Sequence, residues 1–207
     1  MTASSAEVRQ SFSAAAAGFV SVVSAIDGSA WDLAGLGVWT VRDLVGHASR
    51  ALAVLEVYLA EPAAEIRFRS PLEYLLGLKH PSVDHRLVAE RGRAAGQALG
   101  ASPAGAVRAL AERATTLVTT TPDEATLTTP FGGATLLAYL PTRTFELTVH
   151  TLDLVDALGV EAPRGLDGPV AASLELAAAA AGRGAARADV LLALAGRRGL
   201  PPGFSVV

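Results

Sequence analysis

Phe12, Phe19, Val22, Val23 and Ile26 recur at helical spacing behind Ser4 and Ser5, either of which can cap, so a first helix is predicted up to about Ile26, closed by Gly28. After a Gly-rich loop, Trp39-Thr40-Val41-Arg42-Asp43-Leu44 marks a second start. Thr40 is the N-cap, Asp43 answers it three residues on, and Trp39 is placed to pack on Leu44 as a hydrophobic staple. That helix runs from Val41 to before Pro62. Weaker helical patterns cover 72–78 and 83–99, separated by Lys79-His80-Pro81, and Pro103 opens another over 104–118. The Thr-rich run 119–133 breaks the pattern and holds at most a short extended pair.

The longest periodic stretch is 134–159, carrying Leu136, Leu140, Leu147, Leu154 and Leu158 and stopped by Gly159. Pro141 interrupts it. Because proline removes a backbone donor and crowds the preceding turn, either a kink at that point or a helix that begins just after it is expected. Ala-rich helices over 166–181 and 188–194 complete the chain before Pro201-Pro202-Gly203. Long amphipathic helices with almost no strand predict an all-α, four-helix bundle with short additional helices, where sites are built from side chains on facing helices.

Composition narrows the chemistry. In 207 residues there are 17 basic and 20 acidic side chains, a net charge of −3, which argues against a nucleic-acid groove. Cysteine is absent, so disulfides, thiolate metal sites and a nucleophile made of the chain's own sulfur are excluded; thiol chemistry here needs a thiol from outside. A mean hydropathy of +0.38 raises the question of a membrane span. The least charged tracts are broken by Ser13, Ser21 and Ser24 or by Glu175, short of about 20 consecutive apolar residues, so no span is expected. The N-terminus lacks the basic start of a secretory signal, which makes a cytoplasmic location the expectation.

Within Arg143-Thr-Phe-Glu146-Leu-Thr-Val-His150-Thr-Leu-Asp153, Glu146 and His150 lie one turn apart on one helical face and can chelate a single ion. The plain alternative is an interhelical hydrogen bond or a solvated pair. His47, inside the second helix between Val45-Gly46 and Ala48, needs a polar partner among small neighbours, and bundle topology can bring it opposite that face. Two His and one carboxylate make a ligand set typical of catalytic zinc, acceptable also to Ni, Fe or Mn. Asp43 and Asp153 stand about a turn from His47 and His150, where each can reach an imidazole N–H, although Asp43 also has its capping task. Arg143 can orient a substrate carboxylate or form a salt bridge that holds Glu146. His80 and His85 can line a pocket mouth, or be ordinary exposed loop residues.

Trp39-Thr-Val-Arg-Asp-Leu-Val-Gly-His47 and Arg143-x-x-Glu146-x-x-x-His150-x-x-Asp153-Leu154, in that order, resemble the DinB-like superfamily, specifically the N-terminal domain of mycothiol-dependent maleylpyruvate isomerases. The resemblance covers most of the chain. It implies a four-helix bundle that binds a divalent metal, zinc in the isomerase, through a His on the second helix and a Glu-x-x-x-His pair on a later one: His47, Glu146 and His150 here. It also implies mycothiol as the thiol co-substrate, used for isomerisation of, or transfer to, a small electrophile. A helical bundle that binds a metal or small molecule without turning it over is the alternative. The isomerases resembled carry a further C-terminal domain that supplies an Arg, whereas little beyond Ala188 to Arg197 follows the bundle here. A single domain over 1–207 without that full domain is therefore expected. A homodimer through the Ala-rich last helix is a further expectation, since small side chains allow close approach.

Overall fold

The computed structural model describes residues 3–77 and 85–206. In chain order the elements are α1 (Ser5–Ser24), α2 (Val41–Leu59), β1 (Ile66–Phe68), α3 (Pro71–Gly77), α4 (His85–Ala98), α5 (Pro103–Thr120), β2 (Thr126–Thr129), β3 (Gly132–Thr135), α6 (Leu136–Leu158), α7 (Asp167–Arg183) and α8 (Arg187–Leu194). Both leading helices start on complete capping boxes. Ser4 and Glu7 satisfy each other's backbone amides before α1, and Thr40 and Asp43 do so before α2. Of the two tasks open to Asp43, capping is the one realised and no bond to His47 is made: its carboxylate accepts from the Thr40 amide at 3.2 Å, closing the box.

Four helices form the bundle. α1 packs on α5 and α6, α2 packs on the same two, and the ring encloses a core that includes Phe12, Phe19, Leu52, Leu55, Leu140 and Leu147, all without solvent exposure. α4 lies outside against α2, while α7 lies against α6 and α1. The α2–α4 crossing is unusually close: a methyl group on Gly46 would overlap the Gly96 amide nitrogen, and one on Gly96 would come within 2.8 Å of the Arg42 carbonyl oxygen. Only two glycines allow that approach.

α6 occupies the periodic stretch read over 134–159, with Pro141 as its one irregularity. It begins at Leu136, capped by the Thr135 side chain on the Ala138 amide, and Pro141 sits inside it; the alternative of a helix starting after the proline is not realised. Pro141 is only the sixth residue, so the missing amide costs one hydrogen bond at the edge of a 23-residue helix. Gly159 ends it in the left-handed conformation at φ 64°. The helix carries buried Thr142, Thr144, Thr148 and Thr151, whose hydroxyls donate to carbonyls three or four residues back.

The extended pair expected between 119 and 133 exists as β2 and β3, and a third strand joins it. The order is β1-β3-β2, with β3 antiparallel to β2 and parallel to β1. Leu127 and Ala134 point from this small sheet into the core.

Candidate metal centre

His47 on α2 and Glu146 and His150 on α6 converge where those two helices pack. One ligating atom from each lies within 4.8 Å of the others. His150 Nε2 is 3.5 Å from Glu146 Oε2, and the His47 and His150 rings meet edge-on with centroids 4.8 Å apart. The other nitrogen of His150, Nδ1, lies 2.9 Å from Asp153 Oδ2. That contact turns the ring so that Nε2 faces the cluster, as a carboxylate behind a metal-ligating imidazole does. Trp39, expected to staple α2, lies across His47 with ring centroids 4.4 Å apart, and its Nε1 donates to the Ala89 carbonyl of α4 at 3.1 Å. Gly92 makes room for it: a Cβ there would stand 2.7 Å from the indole.

Electrostatics separate the three groups. Burial, reinforced by the neighbouring His150, lowers the His47 pKa to about 4, so its imidazole is neutral. Burial alone would raise Glu146, but the contact with His150 and the charges of Arg143, His150 and His47 outweigh it and bring the carboxyl down to about 2. Burial alone would also lower His150, yet its bonds to Asp153 and Glu146 raise it to about 9. Without an ion the centre is thus a carboxylate–imidazolium pair beside a neutral imidazole.

The residues fit a divalent cation. His47 Nδ1 is buried with no hydrogen-bond partner, an unmet polar atom of the kind a missing ligand leaves. Two imidazoles and a carboxylate form a nitrogen–oxygen set that zinc accepts with a coordination position to spare. An open groove of about 690 Å³ lies elsewhere, between the end of α2 and the α5–β2 connection, lined by Glu56, Leu59, Leu117 and Thr121 among others; none of the triad borders it.

A family model described as the mycothiol maleylpyruvate isomerase N-terminal domain matches residues 12–155, a span that runs from within α1 to the last turn of α6 and includes all three triad residues. The chain belongs to this family. Its architecture is accordingly the mainly helical, DinB-like bundle that the motifs of α2 and α6 suggested. No curated protein and no solved structure matches the chain. Among the described residues, no helix is long and apolar enough to cross a membrane.

The remaining candidates fall on both sides. Asp153 stands against His150, while Arg143 does not pair with Glu146: its Nε donates to Thr142 Oγ1 at 3.2 Å and its guanidinium lies 4.7 Å above the Tyr139 ring. His80 lies outside the described residues, and of His85 only the backbone, as the first residue of α4, is described. Two contacts escaped the sequence reading. Tyr139 precedes Arg143 by four residues, a spacing that could have paired them; the Trp39 ring on His47 had no such signal.

Proposed function

We propose that the chain is a metal-dependent enzyme of thiol chemistry. His47, Glu146 and His150 hold a divalent cation, zinc by donor set with Ni, Fe or Mn as acceptable substitutes, and mycothiol is the thiol for isomerisation of, or transfer to, a small electrophile. The observation that carries this is the convergence of three ligating atoms from two helices beside the unpartnered His47 nitrogen. A bound dication supplies Lewis acidity that favours thiolate over thiol, as the absence of the chain's own cysteine requires of any thiol chemistry here. Asp153 holds the His150 ring with Nε2 inward, and Trp39 covers one face of His47 and keeps water from it. The family match supports the choice of mycothiol.

The test combines metal analysis with thiol consumption. Purified protein is expected to hold one divalent ion per chain, Glu146→Ala to lose it, and mycothiol to be consumed with at least one member of a panel of activated alkenes and alkylating agents. Stoichiometric metal without thiol consumption across the panel would replace the enzyme with a metal-binding bundle; absent metal would remove both.

A further inference from the structure

Two surfaces of opposite character stand uncovered among the described residues. The first is the groove between the end of α2 and α5, where the space of about 690 Å³ meets a second of about 410 Å³ that shares Glu56 and Leu117 with it. Leu59, Leu117 and Ala125 give the groove apolar walls, and Glu56, Glu112 and Glu124 line it with carboxylates. Arg113 is the cation lining it and is already bonded to Glu56 at 2.7 Å. Glu112 and Glu124 form no ion pair among the described residues. Along α5 the groove extends from Glu112 to Thr121, a length of about 13 Å on the helical rise.

The second surface is α8. None of its residues is buried, and Leu191 and Leu194 stand 67% and 68% exposed. Arg187, Leu191 and Leu194 follow one another at i, i+4 and i+7, the anchor spacing of a helix that lies in a groove. The stretch from Arg183 to Leu200 holds four arginines and one aspartate in a chain whose net charge is −3, and that aspartate, Asp189, is taken by Arg198. A cationic helix with an apolar stripe is thus displayed on a molecule that also displays an acidic groove with apolar walls.

A chain cannot fill its own groove. α8 follows α7, which lies on α1 and α6, whereas the groove opens at α2 and α5, the opposite pair in the ring of four. Two α8 faces pressed on one another would bring like charges together. We propose that α8 of one copy seats in the α2–α5 groove of a second, with Leu191 and Leu194 on the apolar walls and the arginines around α8 against Glu112 and Glu124. The distance from Arg187 to Leu194, about 10 Å, fits within the groove. Because the two surfaces differ, the contact is heterologous: each copy offers one α8 and one groove, and association continues into a ring or an open chain. One short helix covers an area at the low end of specific interfaces, below about 1,200 Å² in total, so the contact forms at high protein concentration. None of the triad lines the groove, and the inference does not depend on the metal reading.

Sedimentation of the full chain from micromolar to millimolar concentration tests it. The average mass is expected to rise above the 21.1 kDa of one copy as concentration rises, and to rise less in high salt, which screens the arginine–glutamate contacts. Glu112→Arg with Glu124→Arg, and Leu191→Asp with Leu194→Asp, change exposed side chains and should each weaken association by about tenfold or more. Mixed in equal amounts, these two variants keep one intact groove and one intact α8 between them and should form a dimer and nothing larger. Arg187→Glu with Arg197→Glu serves as a second α8 variant should the aspartates disturb the helix. Constant mass of the wild type at every concentration overturns the proposal and leaves the groove to a partner of other sequence. A groove variant that associates as well as the wild type overturns it in favour of a symmetric contact.

Discussion

Replacing Gly46 by Ala pits two physical effects of opposite sign against each other. Gly46 lies inside α2, and on helix propensity alone Ala should stabilise an interior helical position by roughly 0.5–1 kcal/mol. At this position, however, the new methyl would overlap the Gly96 amide nitrogen, with the Ala95 carbonyl carbon 2.6 Å away. These are backbone atoms of another helix, which no side-chain rotation can clear, so α4 must move off α2. Overpacking of this kind costs about 1–3 kcal/mol, enough to outweigh the propensity gain and leave a net loss of up to about 2 kcal/mol. For a chain of this size that corresponds to a fall in Tm of up to roughly 8 °C. Gly182→Ala in α7 is the control: a Cβ there meets nothing within 4 Å, so propensity acts alone and Tm should hold or rise slightly. Thermal unfolding of both variants by circular dichroism, with zinc affinity measured alongside, checks the pair. If Gly46→Ala melts at or above the wild-type temperature, the close crossing of α2 and α4 is not what the packing implies.

Four further outcomes follow from the centre itself. Asp153→Asn removes the acceptor that orients His150 and should weaken zinc binding by about 10–100-fold in a competition with a chromophoric chelator, and unchanged affinity would dissociate Asp153 from the site. In chelator-treated protein, His150, raised from 6.5 to about 9, lends stability that is fully present below pH 6.5 and is lost as pH climbs through 9. Urea midpoints should accordingly fall between pH 6.5 and 9, and a flat profile across that range refutes the assignment. His47 acts in the other direction: lowered to about 4, it lends stability that is present above pH 6.5 and lost as pH falls through 4, which the same urea series extended downward will read. Removal of metal itself should leave the far-ultraviolet helical spectrum intact, because the bundle core is apolar and closes independently of the triad; collapse of the helices on chelation would contradict this.

The parts of the fold that were legible in the sequence are those governed by local chemistry. The stripe from Phe12 to Ile26, the boxes at Ser4 and Thr40, Pro103 at the first turn of α5 and Gly159 after α6 each act within a few residues of where they are read. At α6 the sequence placed the stretch but left a kink or a later start open at Pro141, because a proline looks equally disruptive at every helical position, while its real effect depends on how many turns precede it. β1 gave no signal: three residues paired in parallel to β3 have neither a hairpin turn nor an alternation long enough to recognise. At the site, the one-turn spacing of Glu146 and His150 was readable, and so was the position of Asp153 behind His150. The direction of Arg143 was not, since a long side chain at that spacing reaches either Glu146 or Tyr139, and the stacked ring prevails. Nothing local in the sequence marks Gly46, Gly92 and Gly96 as the positions that admit the crossing and the indole, because each is required by a contact with another part of the chain.

In the metal-free centre, Glu146 and His150 already face one another as a charge pair, and the buried Nδ1 of His47 has no hydrogen-bond partner. On the proposed reading, assembly of the rods and arrival of the ion are separable events, and a newly made chain would finish its architecture in a cell starved of zinc and wait, intact and idle, to be charged when supply returns.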